Sequence, residues 1–189
     1  MLLLILGLVV FLGVHSVSIV APAWRDAQVA KRGEGAWKGL YSVLSLVGFV
    51  LLVVGYGQAR LDPIVLYVPP VALRHLALLL MLPVFVLLLA AYLPGRLQAA
   101  ARHPMLAATK LWATAHLLAN GTLADVLLFG GFLAWAVADR ISLKRRAARP
   151  VPGAPRRPVN DAVALVGGLL LYGLFVAWGH RWLIGVALV

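Results

Sequence analysis

The sequence predicts an all-α integral membrane protein, a bundle of about six transmembrane helices forming one domain over residues 1–189. Three observations carry that prediction. Of the residues, 63% are hydrophobic and only 12% charged, with a mean hydropathy of +0.97; a soluble domain of this length needs far more polar surface. Several apolar runs reach the roughly 20 residues that cross a hydrocarbon layer of about 30 Å. The basic residues behind the formal net charge of +11 lie mainly between those runs, where they orient a chain in a membrane rather than bind nucleic acid. The chain has no cysteine, which excludes disulfides, iron–sulfur clusters and zinc–thiolate sites.

The first expected helix covers about Leu2 to Ala21. Ala21-Pro22-Ala23 resembles a signal-peptidase site, but no Lys or Arg precedes Arg25, so the run is expected to be a retained helix. A loop with Arg25, Asp26, Lys31, Arg32 and Glu34 follows. The second helix is expected from about Trp37 to Ala59, with Trp37 and Tyr41 as interfacial anchors. Arg60-Leu61-Asp62-Pro63 ends it, and Pro69-Pro70 keeps the connection irregular. The third runs from near Val71 to Tyr92, interrupted by Pro83, and stops at Pro94-Gly95. The fourth, Pro104 to Ala119, starts with the proline that suits a first helical turn and is closed by Asn120-Gly121. It is short for a full crossing. The fifth spans about Leu123 to Ala138. Residues 139–161 form a polar loop with Lys144-Arg145-Arg146 and a Pro/Arg-rich centre, expected to be mobile. The sixth covers about Ala162 to Trp178, and the apolar tail after His180-Arg181 is expected along the membrane interface.

Six crossings place the first, third and fifth loops on one side. These hold Arg25, Lys31, Arg32, Lys38, Arg96, Arg102, Arg140, Lys144, Arg145, Arg146, Arg149, Arg156 and Arg157, against Arg60, Arg74 and Arg181 opposite. This asymmetry predicts both termini on the extracytoplasmic side, and the basic loops are expected to meet anionic lipid at the cytoplasmic face. No internal repeat is evident.

Ionisable groups inside a bilayer are costly and usually functional. The five histidines and Lys110 therefore draw attention, above all in the stretch Arg102 to Gly121. Only six acids exist, none mid-helix beside a serine, so a Ser-His-Asp set is not expected. The histidines lack zinc-ligand spacing. Two histidines on separate helices also suit the axial positions of a haem. His15 is nine residues from Trp24, ~14 Å along a helix, and His116 is 13 residues from His103, ~20 Å; a tilted macrocycle is compatible with these depths but not required by them. Equally, such histidines can simply bond across helices, as Ser16 and Ser18 can. His75 and His180 fall near an interface, where a structural reading is preferred. Arg102 and Lys110 can be snorkelling cations, although Arg102-His103 before Pro104 could also grip an anionic headgroup or cofactor.

The runs Gly13-Val14-His15-Ser16, Trp37-Lys38-Gly39-Leu40-Tyr41-Ser42-Val43-Leu44-Ser45, His103-Pro104-Met105-Leu106, Leu111-Trp112 and His116-Leu117-Leu118-Ala119-Asn120-Gly121 jointly resemble the NnrU family of polytopic membrane proteins. Some bacterial members are associated with nitrite and nitric oxide reduction, and a plant relative is 15-cis-zeta-carotene isomerase. The resemblance implies haem b with His15 and His116 as axial ligands, isomerase or redox chemistry on an apolar small molecule or membrane lipid, and a bacterial inner-membrane location. In the plant enzyme a cysteine follows the tryptophan before the second histidine and can exchange as an iron ligand. Ala113 stands here, so that exchange has no counterpart. Arg102-His103-Pro104 also resembles the isoprenylcysteine methyltransferase group, which implies S-adenosylmethionine held by Arg102 and His103. The Glu-rich turn of that group is replaced by arginines and prolines over residues 142–161. A non-enzymatic structural or assembly role is the third expectation.

Overall fold

Leu, Ala and other unbranched side chains lose little rotamer freedom in a helix, and in the computed structural model each long apolar run is helical. The structure describes residues 1–146, 149 and 152–188; the middle of the predicted polar loop (147, 148, 150 and 151) and Val189 lie outside the described residues. In order, the helices are α1 (Leu2–Val20), α2 (Pro22–Arg32), α3 (Glu34–Ala59), α4 (Val71–Ala90), α5 (Arg96–Ala101), α6 (Pro104–Ala119), α7 (Leu123–Ser142) and α8 (Asn160–Leu174), then a π-helical turn (Phe175–Gly179) and α9 (His180–Ile184). Among the described residues there is no β-strand, only an isolated antiparallel bridge between Val65 and Thr122.

Four helical segments are long and apolar enough to cross a membrane: α1, α3, α4 and the continuous stretch Asn160–Ile184. The expected fourth and fifth crossings fall short on that measure. With 16 residues, α6 is ~24 Å long. Helix α7 has 20 residues but carries Asp125, Asp139 and Arg140.

Two expected connections prove to be helical. The charged loop after α1 is α2, begun by Pro22 at its first position and ended at Gly33, whose φ of 82° suits glycine. The stretch after Pro94-Gly95 is α5, because the Asp161 carboxylate accepts from the backbone N–H groups of Arg96 and Leu97, each at 2.9 Å. The tail after His180-Arg181 continues as α9 to Ile184. Helix α7 also runs a turn beyond Ala138, and Arg146 folds back to pair with Asp139. The loop expected to be mobile is tied down at described positions: Ala154 N–H donates to Tyr92 O at 2.8 Å, and Asn160 Nδ2 donates to Pro94 O and Pro155 O.

By its internal contacts the chain forms two compact units, Met1–Pro69 with Asn120–Arg146 and Pro70–Ala119 with Ala147–Val189. Both follow one plan. In the first, α1 and α3 form a hairpin through α2, and α7 lies against α1; in the second, α4 and α6 form a hairpin through α5, and α8 lies against α4.

Close backbone approach holds the first hairpin. A Cβ at Gly55 would meet Leu4 N at 2.2 Å, one at Gly48 would meet Phe11 N at 2.7 Å, and one at Gly7 would meet Leu52 N at 2.6 Å. Small residues of this kind let helices pack by dispersion where water supplies no drive. Leu4, Leu52, Ala59 and Ala124 form the buried cluster beside this seam. At one end of the unit, Tyr56 OH donates to Asp125 Oδ1 at 2.6 Å. Thr122 caps α7, its N–H and hydroxyl donating to Asp125 Oδ2 at 2.9 and 2.6 Å. Asp125 is thus satisfied although only 4% exposed, as a buried carboxylate must be. The preceding connection is pinned by Leu66 and Tyr67 N–H to Gly121 O and by Leu123 N–H to Ile64 O.

In the second unit, Gly168 of α8 lies against the Val86 backbone, where a Cβ would come within 2.5 Å. Tyr172 OH donates to Leu78 O at 2.9 Å.

Candidate functional site

The α1 seam determines where His15 points. Leu4, Phe11 and His15 recur at spacings of seven and four, which place side chains along one helix face. That face meets α3, so His15 comes opposite Tyr41, with ring centroids 5.1 Å apart. Phe11 stacks on the imidazole at 4.2 Å, and Trp135 of α7 meets it edge-on at 6.0 Å. Phe132 backs Phe11 at 5.6 Å. The histidine is half-buried among three aromatic side chains of its own unit, Phe11, Tyr41 and Trp135.

Its Nδ1 lies 2.6 Å from Phe11 O. A carbonyl oxygen can only accept, so the proton is on Nδ1 and a neutral ring carries its lone pair on Nε2. That is the tautomer in which histidine binds a metal through Nε2 while a backbone carbonyl fixes the ring. Beside it, Trp135 Nε1 is buried without a hydrogen-bond partner among the described residues. A buried N–H in that state costs about 1–3 kcal/mol, so it is a donor suited to an acceptor atom on a bound molecule.

Next to this cluster, where α1, α2 and α3 meet, two clefts adjoin. One, of about 100 Å³, is apolar and lined by Val14, Val17, Trp24, Trp37, Leu40, Tyr41 and Leu44. The other, of about 250 Å³, shares Val14, Val17, Trp37 and Tyr41 and adds Ser18, Arg25 and Lys38.

In the second unit, α6 carries His116. Its Nδ1 lies 2.8 Å from Trp112 O, and the two rings are 5.3 Å apart. The arrangement repeats that of His15: an aromatic residue four positions earlier supplies both the carbonyl and a ring. Ala113 and Ala115, each at most 1% exposed, place small side chains on the buried face beside it. His180 makes a similar Nδ1 contact, to Val186 O at 2.8 Å, but lies more open, with the Phe175 ring edge-on at 5.7 Å. The carbonyl bond therefore does not by itself mark a ligand; the aromatic enclosure distinguishes His15.

Arg102 and His103 fall on the turn between α5 and α6. Arg102 is exposed and has φ 58°, a strained value for a residue with a side chain. His103 is half-buried, and its carbonyl accepts from Ala107 N–H to begin α6. Lys110 is half-buried on α6 and His75 exposed on α4. Of the expected site residues, the structure gathers His116, Arg102 and His103 into the second unit and places His15 in the first. No group of three His, Asp or Glu side chains suited to a metal ion occurs among the described residues.

The walls around His15 went unrecognised in the sequence apart from Tyr41, which was read as an interfacial anchor. Phe11 was open to recognition, because aromatic-x-x-x-His occurs as Phe11–His15 and again as Trp112–His116. Trp135 was not, since its meeting with His15 depends on α7 packing against α1.

These features define an all-helical protein with several helices suited to a membrane and with histidines oriented by their own helix backbones. A family model described as NnrU protein matches residues 3–188. The chain belongs to the NnrU family. No curated protein and no solved structure matches it, and the isoprenylcysteine methyltransferase resemblance gains no support from these comparisons.

Proposed function

We propose that this NnrU-family protein binds haem b, which His15 and His116 would hold, and works by isomerase or redox chemistry on an apolar molecule within a bacterial inner membrane. The observation that carries the reading is the His15 imidazole, enclosed by Phe11, Tyr41 and Trp135 with its Nδ1–H held by the Phe11 carbonyl; His116 repeats the bond, to the Trp112 carbonyl. Two neutral imidazoles oriented for Nε2 donation fit the donor set of a b-type haem. Haem, when bound, would supply an iron for redox or Lewis-acid chemistry on the apolar molecule. The chain's own contribution is orientation and exclusion of water. Phe11, Tyr41 and Trp135 enclose one imidazole, and Trp135 Nε1–H is available to an acceptor on a bound ligand. An accessory role in nitrite or nitric oxide reduction is the physiological setting that membership of this family favours.

In this reading α6 and α7 also cross the bilayer, giving six spans with both termini extracytoplasmic. The charges of α7 are compatible with that. Asp125 accepts hydrogen bonds from three donors, and Asp139 pairs with Arg146.

The test is a visible spectrum of protein purified after expression with adequate haem. A Soret band is expected, with haem retention reduced by His15→Ala and by His116→Ala, and less by Arg102→Ala. Trp135→Phe should shift the spectrum while leaving most of the haem in place. Absence of a Soret band, or unchanged spectra and haem content in both histidine variants, refutes the assignment. Binding of S-adenosylmethionine that depends on Arg102 and His103 would replace it with methyl transfer.

A further inference from the structure

The two clefts at the α1–α2–α3 junction form one amphipathic site. Its apolar arm runs between Val14 and Val17 of α1 and Leu40 and Leu44 of α3, roofed by Trp24 and Trp37. Its polar arm opens past Tyr41 to Ser18, Arg25 and Lys38. Arg25 is held in place. Its guanidinium sits 5.7 Å from the centre of the Trp37 ring and 2.9 Å from Asp26 Oδ1, and its side chain is only 20% exposed. Lys38 pairs with Glu34 at 2.8 Å, but both side chains are 67% exposed. Such a pair is worth little in water, so the lysine can turn to a stronger anion at small cost.

Across residues 22–38 the cations Arg25, Lys31, Arg32 and Lys38 face only Asp26 and Glu34. We propose that this junction is a specific site for an anionic phospholipid, with its phosphate between Arg25 and Lys38 and part of an acyl chain along Val14, Val17, Leu40 and Leu44. The two chemistries lie side by side as they do in a phospholipid, and tryptophans at such a boundary sit naturally at headgroup level. The inference rests on the membrane setting proposed above but not on haem, so loss of one leaves the other standing.

The experiment is native mass spectrometry of the detergent-purified full chain, titrated with phosphatidylglycerol and phosphatidylcholine of equal chain length. Wild type should prefer the anionic lipid by about tenfold, the attraction of two basic residues less the screening by Asp26 and Glu34. Arg25→Gln with Lys38→Gln should abolish the preference. Val17→Phe, which touches no charge, should weaken binding of both lipids by filling the apolar arm. Millimolar inorganic phosphate should not displace the lipid. The proposal is overturned if wild type shows no preference or if the preference survives the double variant. It is likewise overturned if the preference is lost with Lys144→Gln and Arg145→Gln, or if inorganic phosphate displaces the lipid, which would make the site a simple anion site.

Discussion

Adding one methyl group at Gly55 should destabilise the first unit, whereas the same change two residues later should strengthen it. The Gly55 Cβ would lie 2.2 Å from Leu4 N, against an ordinary contact of 3.4 Å or more, so the backbones of α1 and α3 must part by about 1.2 Å. Neither side can yield alone, because the obstacle is backbone. Leu4 is 0% exposed, and a buried leucine makes about 40–60 atom contacts worth ~0.1–0.2 kcal/mol each. An opening of 0.5–1 Å already forfeits about a quarter to a half of each well. Losing a quarter of the Leu4 contacts gives roughly 1–3 kcal/mol, in the usual range for an overfilled core. Against this stands the gain of about 0.5–1 kcal/mol for alanine over glycine in a helix. Gly55→Ala should therefore lose about 1–2 kcal/mol net. Gly57, with nothing within 4 Å, should gain up to about 1 kcal/mol on Gly57→Ala. Reversible unfolding in mixed micelles, followed by tryptophan fluorescence, separates them. Equal shifts in the two variants would refute the close-packed seam.

Tyr56→Phe should remove one of the donors to the buried Asp125 carboxylate and cost about 1.5–3 kcal/mol in the same unfolding assay; no change would refute a structural role for that hydrogen bond. A reporter active only in the cytoplasm, fused to the C-terminus, should give no signal, and strong signal there would end the six-span topology. The spectral comparison of the histidine variants and the lipid titration complete the set.

What the sequence revealed depended on which forces act locally. The bounds of α6 were legible because a proline begins it and Asn120-Gly121 follows it, both backbone signals. The apolar lengths of α1, α3 and α4 were likewise plain. Helices α2 and α5 were read as loops because charge and shortness suggest one, while their stability comes from elsewhere: Arg25 on Trp37 for α2, and the distant Asp161 for α5. The division into two units was hidden for a related reason. Nothing in the apolar pattern of α7 states that it packs on α1. His15 and His116 were identifiable as candidates from their intramembrane setting and the family resemblance. The unpartnered Trp135 Nε1 was invisible until α7 had been placed.

The interleaving of the two units also sets an order of assembly. The chain completes α1, α2 and α3, then makes the whole hairpin of the other unit, and only then returns with α7. Trp135 follows His15 by 120 residues, which at about 5–20 residues per second of synthesis is roughly 6–24 s. Through that interval the first hairpin can close along its glycine seam while one wall of the histidine enclosure does not yet exist. The aromatic enclosure of His15 is therefore completed only when α7 has been made.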